Sequence, residues 1–117
     1  VKFLCLIYLS QERMDALTPD EQRQLDRDSQ AFDKQLEASG VFLGALPLDS
    51  SRKAVSLRRV NGRLTQTEGP YVETKEVVGG YILLDVPSID DALRIAGDIP
   101  VARYGGVEVR PVYTMMS

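Results

Sequence analysis

The sequence has no histidine, no tryptophan and a single cysteine in 117 residues. Without histidine, Ser-His-Asp and Cys-His nucleophilic schemes are excluded, as are histidine-ligated metal sites. One cysteine, Cys5, can form neither an internal disulfide nor a structural zinc site. No D-x-D-x-D-G loop offers an oxygen cage for calcium, and no G-x-x-x-x-G-K run offers a phosphate cradle. Composition leaves an all-oxygen magnesium or calcium site open; no metal ligands are assigned, and no cofactor is expected. No apolar run approaches the roughly 20 residues of a membrane span. The net charge of −3 gives no electrostatic ground for binding nucleic acid or an anionic membrane. An unpaired cysteine in an apolar run fits a reducing, cytoplasmic setting.

What is present is an ordinary globular composition, 44% hydrophobic and 26% charged, at a length that suits one domain over residues 1–117. The opening "KFLCLIYL" is apolar on both alternating faces, with Phe3, Cys5, Ile7 and Leu9 on one and Leu4, Leu6 and Tyr8 on the other. It reads as a central strand covered on both sides, rather than as a signal peptide, which would need a small-residue cleavage site. Thr18, Pro19 and Glu21 form an N-cap, a first-turn proline and a capping box. Leu25, Ser29, Phe32 and Leu36 then share one helical face, Gly40 stops the helix, and Arg23, Asp26, Arg27, Asp33 and Lys34 are expected to meet water.

Residues 41–48 read as a second strand. Two further strands flank Asn61-Gly62, a type I′ hairpin signal. A strand apolar on both faces is expected over 79–86. Ser88 and Asp91 cap a second helix whose buried stripe should be Ile89, Ala92, Leu93 and Ala96. Residues 106–113 form the last strand, with Val107, Val109 and Tyr113 inward and Glu108 and Arg110 outward. Pro111 places it at an edge or bulge. The Met115-Met116 tail is expected to fray or to pack on a partner.

The order β-α-β, hairpin, β-α-β predicts an α+β, ferredoxin-like sandwich: an antiparallel sheet with two helices on one face. Its other face would be apolar through Leu4, Leu6, Ile82 and Leu84. A symmetric homodimer through that sheet face, a dimeric α/β-barrel-like assembly, would cover it.

The densest chemistry lies in "EGPYVETKEVVGG", residues 68–80. A carboxylate near another carboxylate, or partly buried, has a raised pKa and can work as a general acid or base. Glu73 or Glu76 would be the base and Lys75 its electrostatic partner; these are the candidate catalytic residues. Glu68, Tyr71, Thr74 and Arg110 are the candidate ligand-binding residues. Gly79 and Gly80 would let a ligand approach the backbone. The plainer reading is a wet turn at Gly69-Pro70 with surface ion pairs among Glu73, Lys75 and Glu76. Arg110 and Glu108 are more readily a cross-strand or intersubunit pair than a cleft. Arg58, Arg59 and Arg63 round the hairpin are more readily solvated than anion-binding. Cys5 reads as a small buried apolar residue.

"EGPYVETKE", "GGYILLDVPSIDDALRIAGDIP" and "GGVEVRPV" resemble the YCII-related family, in particular its DGPF branch, whose Asp-Gly-Pro-Phe motif reads here Glu68-Gly69-Pro70-Tyr71. The resemblance implies a ferredoxin-like fold that pairs into an α/β-barrel-like dimer. It also implies a link to extracytoplasmic-function sigma factors. The His and Asp proposed as a catalytic pair in the YCII branch would fall near Ser29 and Asp98, so a histidine mechanism does not carry over.

Two functions follow as expectations. One is a soluble homodimer binding a small organic ligand in a cleft near residues 68–76, with acid–base catalysis left open. The other is a non-catalytic accessory module acting through protein contacts, such as sigma-factor regulation.

Overall fold

The structure, a computed structural model, describes residues 1–115; Met116 lies outside the described residues. Strands β1 (Lys2–Ser10), β2 (Phe42–Pro47), β3 (Val55–Val60), β4 (Arg63–Glu68), β5 (Glu76–Asp85) and β6 (Gly105–Pro111) alternate with helices α1 (Gln11–Asp15), α2 (Pro19–Ala38) and α3 (Ile89–Ala96). Two 3-10 turns, Ser51–Lys53 and Pro100–Tyr104, complete the order. The main sheet runs β2-β5-β1-β6, antiparallel at every pairing, and β3-β4 form a separate two-stranded ribbon. This is the α+β architecture the element order predicts, with α2 and α3 against one face.

Local chemistry sets the helix ends. Thr18 Oγ1 accepts from the Glu21 amide at 3.1 Å while Glu21 Oε1 accepts from the Thr18 amide at 3.0 Å, so the capping box is closed in both directions. Gly40, at φ +81°, takes the left-handed conformation just after the Ser39 C-cap, where a side chain would be strained. Asn61 and Gly62 both have positive φ, as the hairpin signal requires. Ser88 Oγ accepts from the Asp91 amide and opens α3.

The core lies between sheet and helices. Phe3, Cys5, Ile7 and Leu9 of β1 meet Ile82 and Leu84 of β5, with Leu36, Ala92, Ala96 and Ile99 above them. Cys5 and Leu84 have no exposed surface. Burial pushes the Cys5 thiol up to about 11, so it stays protonated and packs as an apolar side chain.

Several expectations change. Ile82 and Leu84 do not belong to the uncovered face: they pair with Cys5 and Phe3, and directly opposed residues share a face. The bare face is instead Leu4, Leu6, Tyr8, Val78, Tyr81 and Leu83, flanked by Arg110 and Glu108 opposite Leu4 and Leu6. In α3, Ala92 and Ala96 are buried but Ile89 and Leu93 are exposed, because the short helix lies on the core through its alanines. Tyr113 is exposed, not inward, since β6 stops at Pro111. Pro111 does sit on an edge strand. β5 starts three residues earlier than expected, at Glu76, because Ser10, Leu9 and Tyr8 extend the ladder past a bulge at Gly79. A Cβ on Gly79 would run into the Leu9 side chain.

Candidate functional site

Two hollows lie near the end of the sheet where the last residues of β1 pair with the first of β5. The first, about 440 Å³, opens between α2 and the sheet. Its walls are mostly apolar: Ile7, Leu9, Leu25, Phe32, Ile82 and Ile99. Polar groups come from one side, the α2 residues Gln22, Asp26, Ser29, Gln30 and Asp33, and backbone comes from Gly79 and Gly80. The spacing explains the arrangement. Asp26, Ser29 and Asp33 are three and four residues apart, so they line the border of the stripe formed by Leu25, Phe32 and Leu36.

Asp33 is half-buried there, contrary to the expectation that it meets water. Desolvation, and secondarily the negative charge of Glu37, raises its carboxyl above the usual range. Among the described residues it is the one carboxyl shifted upward, and no hydrogen bond or ion pair engages it. The other shifted aspartates move down, each held by a donor. Asp28 is bonded to Gln24 and Arg103, and Asp15 to Arg52 and Gln11. Asp26 is exposed and accepts from Gln22 at 3.0 Å.

The second hollow, about 640 Å³, lies under the charged loop. Tyr8, Val77 and Val78 form its floor, Leu48 to Ala54 one rim, and Pro70, Tyr71, Val72, Thr74 and Glu76 the other. Of the residues singled out in the sequence, Tyr71, Thr74 and Glu76 meet here. Glu68 ends β4, Glu73 and Lys75 line neither hollow, and Arg110 is on the bare sheet face at β6. Most polar groups of this hollow are already engaged locally. Lys53 pairs with Asp49 at 3.0 Å, Thr74 Oγ1 donates to the Glu76 carbonyl, and Arg58 stacks 4.1 Å over the Tyr71 ring.

Among the described residues Glu73, Lys75 and Glu76 form no ion pair, so the network expected of a wet turn is absent. Arg110 pairs with Glu108 two residues away on its own strand, not across strands. Among the described residues no cluster of acidic or cysteine side chains could hold a metal.

Asp33 was missed because charge on a helix was read as solvated. The available signal was its place four residues after Ser29, itself on the apolar face. Ser29, where the resemblance puts the YCII-branch histidine, does line the first hollow. Asp98, the counterpart of the aspartate, is exposed and lines neither.

An antiparallel α+β sheet with its helices on one face and a cleft beneath the longer helix defines the structural class. Within that class the chain belongs to the YCII-related domain family, whose model matches residues 1–116. An uncharacterized protein of Rhizobium meliloti (strain 1021) is 30% identical over 112 residues, covering 94% of this chain and 90% of that protein. In fold, the chain is similar to 5-chloro-2-hydroxyhydroquinone dehydrochlorinase from Burkholderia phenoliruptrix AC1100, solved in complex with 2,5-dihydroxybenzoquinone. The TM-score is 0.51 at 15% identity, covering 97% of this chain and 94% of that one. Among the described residues no helix is long and apolar enough to cross a membrane.

Proposed function

We propose that the protein binds a small, largely apolar organic molecule in the cleft under α2, with Asp33 as the group that reads its one polar end. The observation that carries the reading is a half-buried carboxyl that no described residue engages, on the polar border of a mostly apolar cleft. Such a group is partly desolvated and no described residue compensates it, so a donor or cation on a ligand gains what the protein itself does not supply. A volume of about 440 Å³ fits a molecule of one or two rings. Where binding leads to turnover, Asp33 is the proton-transfer group, since a raised carboxyl pKa brings both protonation states nearer to neutral pH. The fold relative's complex with a quinone supports trying ring compounds first.

A second reading keeps the ligand in the loop hollow near residues 68–76. There Glu76, in place of Glu73, would act as base beside Tyr71 and Thr74, and Lys75, Glu68 and Arg110 would have to move to take part. A third, in keeping with the DGPF-like Glu68–Tyr71 turn, is a non-catalytic module linked to sigma-factor regulation. The exposed charged loop favours it.

Backbone NMR titration of the full chain with 2,5-dihydroxybenzoquinone and with benzylamine separates the three. Shifts at Ser29, Asp33, Ile82 and Ile99, lost in Asp33→Asn, support the cleft. Shifts confined to residues 71–78 move the site to the loop. Silence from both probes at millimolar concentration counts against a small-ligand function and for protein contacts.

A further inference from the structure

A third hollow, about 340 Å³, adjoins the cleft under α2. Leu9, Met14, Gln22, Leu48 and Gly79 line both, so the two share walls. A Cβ on Gly79 would collide with the Leu9 side chain, so glycine keeps this shared neck from being filled.

The cleft has a direction. Gln22, Asp26, Ser29 and Asp33 stand at spacings of four, three and four, a single polar row along α2. Gln22 is the first and Asp33 the last α2 residue on the cleft wall, roughly 16 Å apart along the helix axis. Gln22 also borders the third hollow, whereas Asp33 does not. The stretch between them is lined by Leu25 and Phe32.

The two ends differ in charge. Among the described residues the cleft wall carries Asp26 and Asp33 and no lysine or arginine, so an anion is repelled there. The third hollow also has two carboxylates, Asp15 and Asp49, but each is matched, by Arg52 and by Lys53. A second charge would have to compete with those pairs. What the hollow leaves over is neutral. Gln22 donates through its side-chain amide to Asp26, and Ser50 Oγ accepts from the Arg52 amide at 3.2 Å. Among the described residues the Gln22 carbonyl oxygen and the Ser50 hydroxyl proton have no partner, an acceptor and a donor that together suit a hydroxyl or an amide.

We infer that the cleft and the third hollow are one elongated site for a two-ended ligand: an amine at Asp33, an apolar body along Leu25 and Phe32, and a neutral hydroxyl or amide end past Gly79, at Gln22 and Ser50. This rests on the reading of the cleft as a small-molecule site and names the class of molecule it takes.

Backbone NMR titration of the full chain with benzylamine, decylamine and 10-amino-1-decanol tests it. All three carry the amine, and only the amino alcohol carries a second polar end. Benzylamine should move Ser29 and Asp33. The amino alcohol should move these and also Gln11 and Ser50, which border the third hollow but not the cleft. Ser50→Ala should weaken the amino alcohol about fivefold and leave decylamine within about twofold. Amino-alcohol shifts that are absent or stop at the cleft, or a Ser50→Ala chain that treats the two alkylamines alike, overturn the two-ended site while benzylamine shifts keep the cleft reading in place. Failure of all three amines to move Ser29 and Asp33 overturns both.

Discussion

The main sheet and the β3–β4 hairpin each place leucines on strands, and these meet opposite fates. Leu84 in β5 has no exposed surface, whereas Leu57 in β3 is 53% exposed. The difference is what stands opposite. Leu84 pairs with Phe3 and lies in the core beneath the helices, whereas Leu57 pairs with Gln66 and, among the described residues, has no helix or sheet packed over it. Strand patterning specifies which side chains share a face. Whether that face is covered is a long-range matter.

The largest effect should follow from truncating the core of the main sheet. Leu84→Ala removes a fully buried side chain and should lower the free energy of unfolding by about 2–5 kcal/mol in urea. Leu57→Ala, measured dilute enough to keep copies apart, should stay within about 0.5 kcal/mol. An equal loss in both would erase the contrast and mean that the hairpin packs within one chain.

Next comes the cap. Thr18→Ala opens the box at the start of α2 and should cost about 1 kcal/mol in the same experiment. A cost near zero would mean that sheet contacts alone hold that end.

The smallest effect concerns Asp33 and depends on pH. Because folding raises its pKa, the neutral carboxyl is favoured in the fold. Its contribution is fully present below the unfolded value and is lost as pH rises through the folded one. Asp33→Asn should therefore melt higher than the natural chain near neutral pH, and the gap should close on acidification to about pH 3. Asp15 and Asp28 shift the opposite way, so both proteins lose their contribution together in acid and the difference between the two isolates Asp33. A gap that stays constant with pH would place Asp33 in water.

Much of the fold was legible because its signals are local. Thr18 with Glu21, Asn61-Gly62, Ser88 with Asp91 and Gly40 each act within a few residues, through a cap or a turn. The helix α1 was not legible: five residues without a buried side chain leave no periodicity to read. Ile89 and Leu93 misled because an apolar stripe shows that a helix can be buried, not how far the sheet extends beneath it. The candidate site was half legible. The loop's Tyr71, Thr74 and Glu76 do converge on a hollow, while Glu73 and Lys75 do not, since the loop is bent and irregular there and carries no period to read.

By itself the sequence determined the elements, their caps, the alternation of each strand and the exclusion of histidine chemistry, since each depends on residue type and short spacing. Only the tertiary structure decided that Ile82 and Leu84 face the helices, that Asp33 is drawn into an apolar cleft, and that the hairpin stands free. All three depend on which distant residue lies opposite, and no local spacing encodes that.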